Sequence, residues 1–134
     1  MRVVIDTNVW ISRLLLADSV TARAVDKALE EFEVVVSEAS VDELARVLSR
    51  AKFDRYVSVR DREEFLRRLL QVTTMVAVLS EVSDCRDPKD NRFLALALDS
   101  ESDRIISGDA DLLALNPWRG VKIVSPATFL ASRA

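Results

Sequence analysis

The chain has 134 residues, 49% hydrophobic and 31% charged, with only 2 Gly and 3 Pro; this composition describes one globular domain over residues 1–134 and excludes a disordered or linker-rich protein. It has no His and a single Cys, Cys85, which removes histidine triads, imidazole acid–base chemistry, His- or Cys-built zinc sites and any internal disulfide. With a formal net charge of −3, any catalysis must come from carboxylates, hydroxyls, Lys or Arg, or from a hard cation held by carboxylates.

In chain order, Val3-Val4-Ile5 is a β-branched run fit for a strand buried on both faces, followed by Asp6 and a helix from Val9 to Leu16. Thr7 or Asn8 is placed to cap that helix. A second helix covers Val20 to Phe32, and Glu33 to Val36 is a second strand. Glu38 to Ser49 sets Val41, Leu44, Ala45 and Leu48 at helical spacing. A short helix around Phe53, Tyr56 and Val57 precedes a longer one over Asp61 to Val72, with Phe65, Leu66, Leu69 and Leu70 on its packed side. Met75 to Leu79 reads as a third strand, Ser80 to Asp90 as a loop, and Asp90 to Leu98 as a helix apolar nearly all round. Arg104 to Ser107 is a fourth strand ended by Gly108, and Asp109 to Leu115 a short helix broken at Asn116-Pro117. Val121 to Val124 is a last strand, with a helical turn at Ala127 to Ala131. Strands alternating with helices predict an α/β fold: a parallel sheet of about four or five strands with helices on both faces.

Charge is unevenly spread. Residues 46–68 carry eight basic residues against four acidic, while the rest of the chain is acidic. Arg46, Arg50, Lys52 and Arg55 head that segment and are the candidate grip on a phosphate backbone. No charged leader precedes an apolar core and no apolar run approaches bilayer-spanning length, so no membrane association is expected. With one lone thiol, this suits the cytoplasm.

The acids fall at related places. Asp6 follows the first strand, Glu43 sits on the helix after the second, Asp90 opens the buried helix, and Asp109 follows the fourth strand with Asp111 two residues on. In a parallel sheet these positions share the rim at the carboxyl ends of the strands, where ligands bind. Carboxylates converging there repel one another unless a divalent cation compensates them. Mg²⁺ or Mn²⁺, which prefer oxygen ligands, would support phosphodiester hydrolysis. Each acid also has an ordinary reading. Asp87-Pro88-Lys89-Asp90 is a good helix N-terminus, Asp109 a turn or cap residue, and Glu43 a solvated helix position.

These residues resemble the PIN domain family of small metal-dependent nucleases, many of them the toxin halves of VapC-type toxin–antitoxin pairs. The resemblance rests on Val4-Ile5-Asp6-Thr7-Asn8, on the acid of Asp42-Glu43-Leu44, on Arg86-Asp87-Pro88-Lys89-Asp90-Asn91-Arg92-Phe93-Leu94, and on Ile106-Ser107-Gly108-Asp109-Ala110-Asp111-Leu112-Leu113. It implies a catalytic acid set of Asp6, Glu43, Asp90 and Asp109, with Asp111 as a further metal ligand directly or through water. Glu38 competes for the role of Glu43, and Asp87 for that of Asp90. It implies Thr7, Asn8 and Ser107 as hydrogen-bond partners of the acids. It also implies an RNA substrate, a homodimer, and a cognate antitoxin that blocks the acidic groove.

The leading expectation is thus a Mg²⁺- or Mn²⁺-dependent endoribonuclease, the toxin of such a pair. One alternative is a PIN-fold module that binds without cleaving, which would have no use for clustered acids. The other is a Mg²⁺-dependent phosphatase or phospho-acceptor domain. That chemistry usually needs a second Asp two residues after the first, or a Lys after a later strand, whereas position 8 is Asn and no Lys follows Arg104 to Ile106.

Overall fold

The computed structural model describes residues 1–132. Its elements are β1 (Arg2–Ile5), α1 (Thr7–Leu15), α2 (Val20–Glu31), β2 (Glu33–Val36), α3 (Glu38–Leu48), α4 (Val59–Val72), β3 (Thr74–Met75), α5 (Asn91–Asp99), β4 (Arg104–Ile106), α6 (Ala110–Leu113), β5 (Lys122–Val124) and α7 (Pro126–Ala131), with 3₁₀ turns at Ala51–Phe53 and Pro88–Asp90. The five strands are all parallel, in the order β3-β2-β1-β4-β5. The alternation of side chains along β1 builds the layers. Val3 and Ile5 join Val34, Val36 and Ile106 in a core shared with α1, α2, α3 and α7. Val4 joins Val35, Ile105 and Ile123 in a second core with Phe93, Leu94 and Leu96 of α5. Helices therefore cover both faces, as expected from the β-branched runs. Phe93, Leu94, Ala95, Leu96 and Ala97 are all buried, which accounts for the continuous apolar composition of α5.

Strand order reverses at β1: the chain moves outward to β2 and β3 on one side, then returns to β4 and β5 on the other. Such a switch point opens a crevice at the carboxyl ends of the two central strands. Here the strands are β1 and β4, aligned with Ile5 opposite Ile106. The Asp6 N–H extends their pairing by donating to the Ile106 carbonyl at 3.0 Å.

Several elements differ from the expectations above. The third strand is only Thr74–Met75. Beyond it Val76, Val78 and Val82 still pack on the second core, and the last bond to β2 is the Val76 N–H donating to the Val36 carbonyl at 2.8 Å. The Leu79 N–H is taken by the Asp99 carboxylate at 2.6 Å, not by a strand. Around Phe53 there is a 3₁₀ turn instead of a helix, and Leu70 on α4 is exposed. The cap of α1 is Asp6 itself rather than Thr7 or Asn8. Likewise Asp109 caps α6, which runs only over Ala110–Leu113.

Candidate functional site

Asp6 and Ser107 leave neighbouring strands at the switch point, and one hydroxyl ties the two exits together. Ser107 Oγ donates to Asp6 Oδ2 at 2.7 Å and accepts the Asp109 N–H at 3.0 Å. Asp6 is only 4% exposed. Burial raises its pKa first of all, opposed by the bonds from Ser107 and the Asn8 N–H, with the Asp109 and Glu43 charges adding to the rise. Glu43 reaches the same rim from α3. Thr7 Oγ1 donates to its Oε2 at 2.9 Å, and Arg92 Nη1 lies 3.5 Å from that oxygen.

The other side of the site is built by the turn before α5. Asp87 caps this turn by accepting the Lys89 N–H at 3.1 Å, and Pro88 starts it. In a 3₁₀ turn side chains three apart eclipse, so Asp87 and Asp90 project together. Oxygens of Asp87, Asp90 and Asp109 all lie within 4.8 Å of one another. Asp90 is buried, and its Oδ2 has no hydrogen-bond partner. Its carboxyl is pushed up to about 7, first by burial, then by the Asp109, Asp6 and Asp87 charges. Asp109 Oδ1 accepts the Asp111 N–H at 2.7 Å. Beneath the turn, the Cys85 N–H donates to Asn91 Oδ1 at 2.8 Å.

A divalent cation fits this arrangement. The donors are all carboxylate oxygens, the type hard cations take. A buried carboxylate oxygen without a donor is costly unless a positive charge faces it.

Of the acids expected from the sequence, Asp6, Glu43, Asp90 and Asp109 come together at one rim. Asp111 is not in the three-carboxylate group; what it contributes is its backbone N–H, bound to Asp109. Asp87, weighed only as a rival to Asp90, stands beside it. Thr7 and Ser107 bond acids through their hydroxyls, whereas Asn8 does so through its N–H, at 3.4 Å. Arg92 was given no role from sequence.

The basic segment is less uniform than its composition suggests. Arg62 is buried and donates to the Leu48 carbonyl and to Asp54, both at 2.7 Å. Arg67 and Arg68 pair with Glu64. Arg62 is thus committed within the fold, while Arg67 and Arg68 stay on the surface in pairs along one helix. Arg46, Arg50, Lys52 and Arg55 remain exposed. Among the described residues no helix is long and apolar enough to cross a membrane.

Comparison with known proteins agrees with this picture. A sequence-family profile described as PIN domain matches residues 2–111. The chain is 31% identical over 117 residues to the uncharacterized protein MJ1680 of Methanocaldococcus jannaschii, covering 86% of this chain and 75% of that protein. Its fold is similar to that of VapBC2 from Rickettsia felis, solved bound to a DNA fragment from the promoter, with a TM-score of 0.65 at 7% identity over 93% of this chain and 98% of the other. PAE2754 from Pyrobaculum aerophilum gives 0.64 at 13% identity, over 97% and 87% of the two chains.

Proposed function

This chain belongs to the PIN domain family, and we propose that it is a Mg²⁺- or Mn²⁺-dependent endoribonuclease that serves as the toxin of a toxin–antitoxin pair in the cytoplasm. The observation that carries the reading is the buried, partnerless Asp90 Oδ2 set among the carboxylates of Asp87 and Asp109. Asp6, Asp90 and Asp109 would hold the ion, with Asp87 in reach and Asp111 acting from outside. When bound, the ion supplies charge compensation and Lewis acidity toward a phosphodiester.

The remaining work falls to the chain's own groups. Ser107 fixes the Asp6 carboxylate and the start of the Asp109 turn with one hydroxyl, so both acids face the same point. Thr7 holds one oxygen of Glu43, which leaves the other to orient an attacking water. Arg46, Arg50, Lys52 and Arg55 would contact the RNA backbone away from the acids. The likeness in fold to VapBC2 supports a protein partner. An antitoxin segment would find a cleft of about 290 Å³ between α1, α2 and α4, with Trp10, Leu14, Leu29 and Phe65 on its apolar side and Arg13, Asp26 and Arg68 at its charged side. A homodimer is part of the same proposal.

The phosphatase alternative gains nothing from the geometry. Asn8 offers its backbone to Asp6, and the residues after β4 are Ser107 and Gly108, with no Lys. The test is Mn²⁺ titration by calorimetry together with digestion of labelled RNA, each with and without EDTA. The reading expects one or more Mn²⁺ bound and EDTA-sensitive cleavage that Asp6→Asn abolishes while the far-ultraviolet circular dichroism is unchanged. Cleavage that persists in that variant would refute it.

A further inference from the structure

Resting on the ribonuclease reading above, we infer that Arg92 is the substrate-phosphate anchor of the site: it contacts a backbone phosphate of the RNA and so offsets the repulsion that an acidic rim imposes on a polyanion. Among the described residues, the Arg92–Glu43 contact is the sole ion pair that reaches Asp6, Glu43, Asp87, Asp90 or Asp109. That pair sets a positive charge at the edge of the carboxylate cup, where an anion is drawn in.

The guanidinium is already held in place. Its Nε donates to the Lys89 carbonyl at 2.9 Å and its Nη1 to the Ala39 carbonyl at 3.5 Å, with Glu43 Oε2 also 3.5 Å away. These contacts come from the Asp87–Asp90 turn and from the first residues of α3, the two walls on that side of the acids. Nη2 donates to no protein acceptor among the described residues, and a quarter of the side chain is open to solvent. A guanidinium held at Nε and Nη1 with Nη2 free is prepared to donate to a phosphate oxygen, with little side-chain freedom left to lose. Arg92 lies two residues past Asp90 on the first turn of α5, so a phosphate bound there is adjacent to the metal-binding acids.

The test is anisotropy of a fluorescent single-stranded RNA oligonucleotide binding to wild type, Arg92→Gln and Arg92→Lys, in Ca²⁺ over a range of NaCl. Thermal melting of each variant confirms that it folds. Arg92→Gln is expected to weaken binding about tenfold, and to reduce the slope of log Kd against log salt by about 0.7, the value for one lost phosphate contact on a single strand. Arg92→Lys keeps the charge but not the fork, so it should recover the slope and only part of the affinity. An unchanged Kd and slope in Arg92→Gln would overturn the inference and assign Arg92 to holding Glu43; RNA that fails to bind wild type would overturn it too. Arg92-dependent binding without any cleavage in Mg²⁺ or Mn²⁺ would instead leave the anchor standing and remove the nuclease reading.

Discussion

Replacing Asp90 by Asn should make the metal-free protein more stable at neutral pH while it abolishes the response to metal. The Asp90 carboxyl sits at about 7 against an ordinary 3.8. Because the folded value lies above the unfolded one, the folded state holds the extra proton between about pH 4 and pH 7. Stability therefore falls as pH rises through that window, and the whole penalty is present above pH 7. Three pH units at about 1.4 kcal/mol each set a ceiling of about 4 kcal/mol. Asp87 and Asp109 are only half-buried, and water over them screens part of the repulsion, so we expect about 2 kcal/mol. Urea unfolding in EDTA, followed by the fluorescence of Trp10 and Trp118, should show Asp90→Asn more stable than wild type by that amount at pH 8 and by only about half of it at pH 4.5. With Mn²⁺ at a hundred times its Kd, wild type should gain about 2.7 kcal/mol and the variant little. An Asp90→Asn protein that is less stable than wild type at pH 8 in EDTA, or equally stabilised by Mn²⁺, refutes the argument that repulsion at Asp90 is what the ion relieves.

Ser107→Ala removes the hydroxyl shared by Asp6 and the Asp109 turn; Mn²⁺ affinity measured by calorimetry should fall about tenfold or more, at a stability cost of about 1–2 kcal/mol in urea. Thr7→Val frees Glu43 from its donor, so the turnover of RNA should drop while Mn²⁺ affinity stays within a few-fold of wild type. Arg62→Ala leaves the Leu48 carbonyl and Asp54 without their donor, which should cost about 3 kcal/mol in urea, whereas Arg55→Ala should cost less than about 0.5 kcal/mol and instead weaken RNA binding.

The layout of strands and the main acids could be read from the chain because every strand except β3 is a short β-branched run that ends at a polar residue. Asp6 after Ile5 and Asp109 after Ser107 mark the exits of the two central strands directly. Asp87 was harder to place because its role depends on the tightness of one turn. Pro88 at the start of a 3₁₀ turn aligns positions 87 and 90, and an Asp-Pro-Lys-Asp spacing was the available sign. Arg92 meets Glu43 across two helices and 49 positions of sequence, a pairing that local periodicity does not encode. The charge count over residues 46–68 averages a buried arginine, Arg62, with exposed ones. Positions 62, 65, 66 and 69 share a helical face, and Phe65, Leu66 and Leu69 of that face pack on the core. The cation in register with them was therefore marked as internal, although the segment's composition pointed to a basic surface. Met75 to Leu79 misled in the opposite way: its alternation records packing on one face, and strand assignment also needs a neighbour to pair with.

The placement of β1 at the centre of the sheet constrains when activity can appear during synthesis. β1 is made well before β4, so one of its two edges waits for Arg104–Ile106, and the Ser107 hydroxyl that orients Asp6 is 101 residues away in sequence. A nascent chain that stops short of β4 holds Asp6, Glu43 and Asp90 without the strand that aligns them. Pairing of such long sequence separation forms late and slowly. In the nuclease reading the site would thus stay unaligned until Ser107 has been made, and a fragment ending before β4 would be inert.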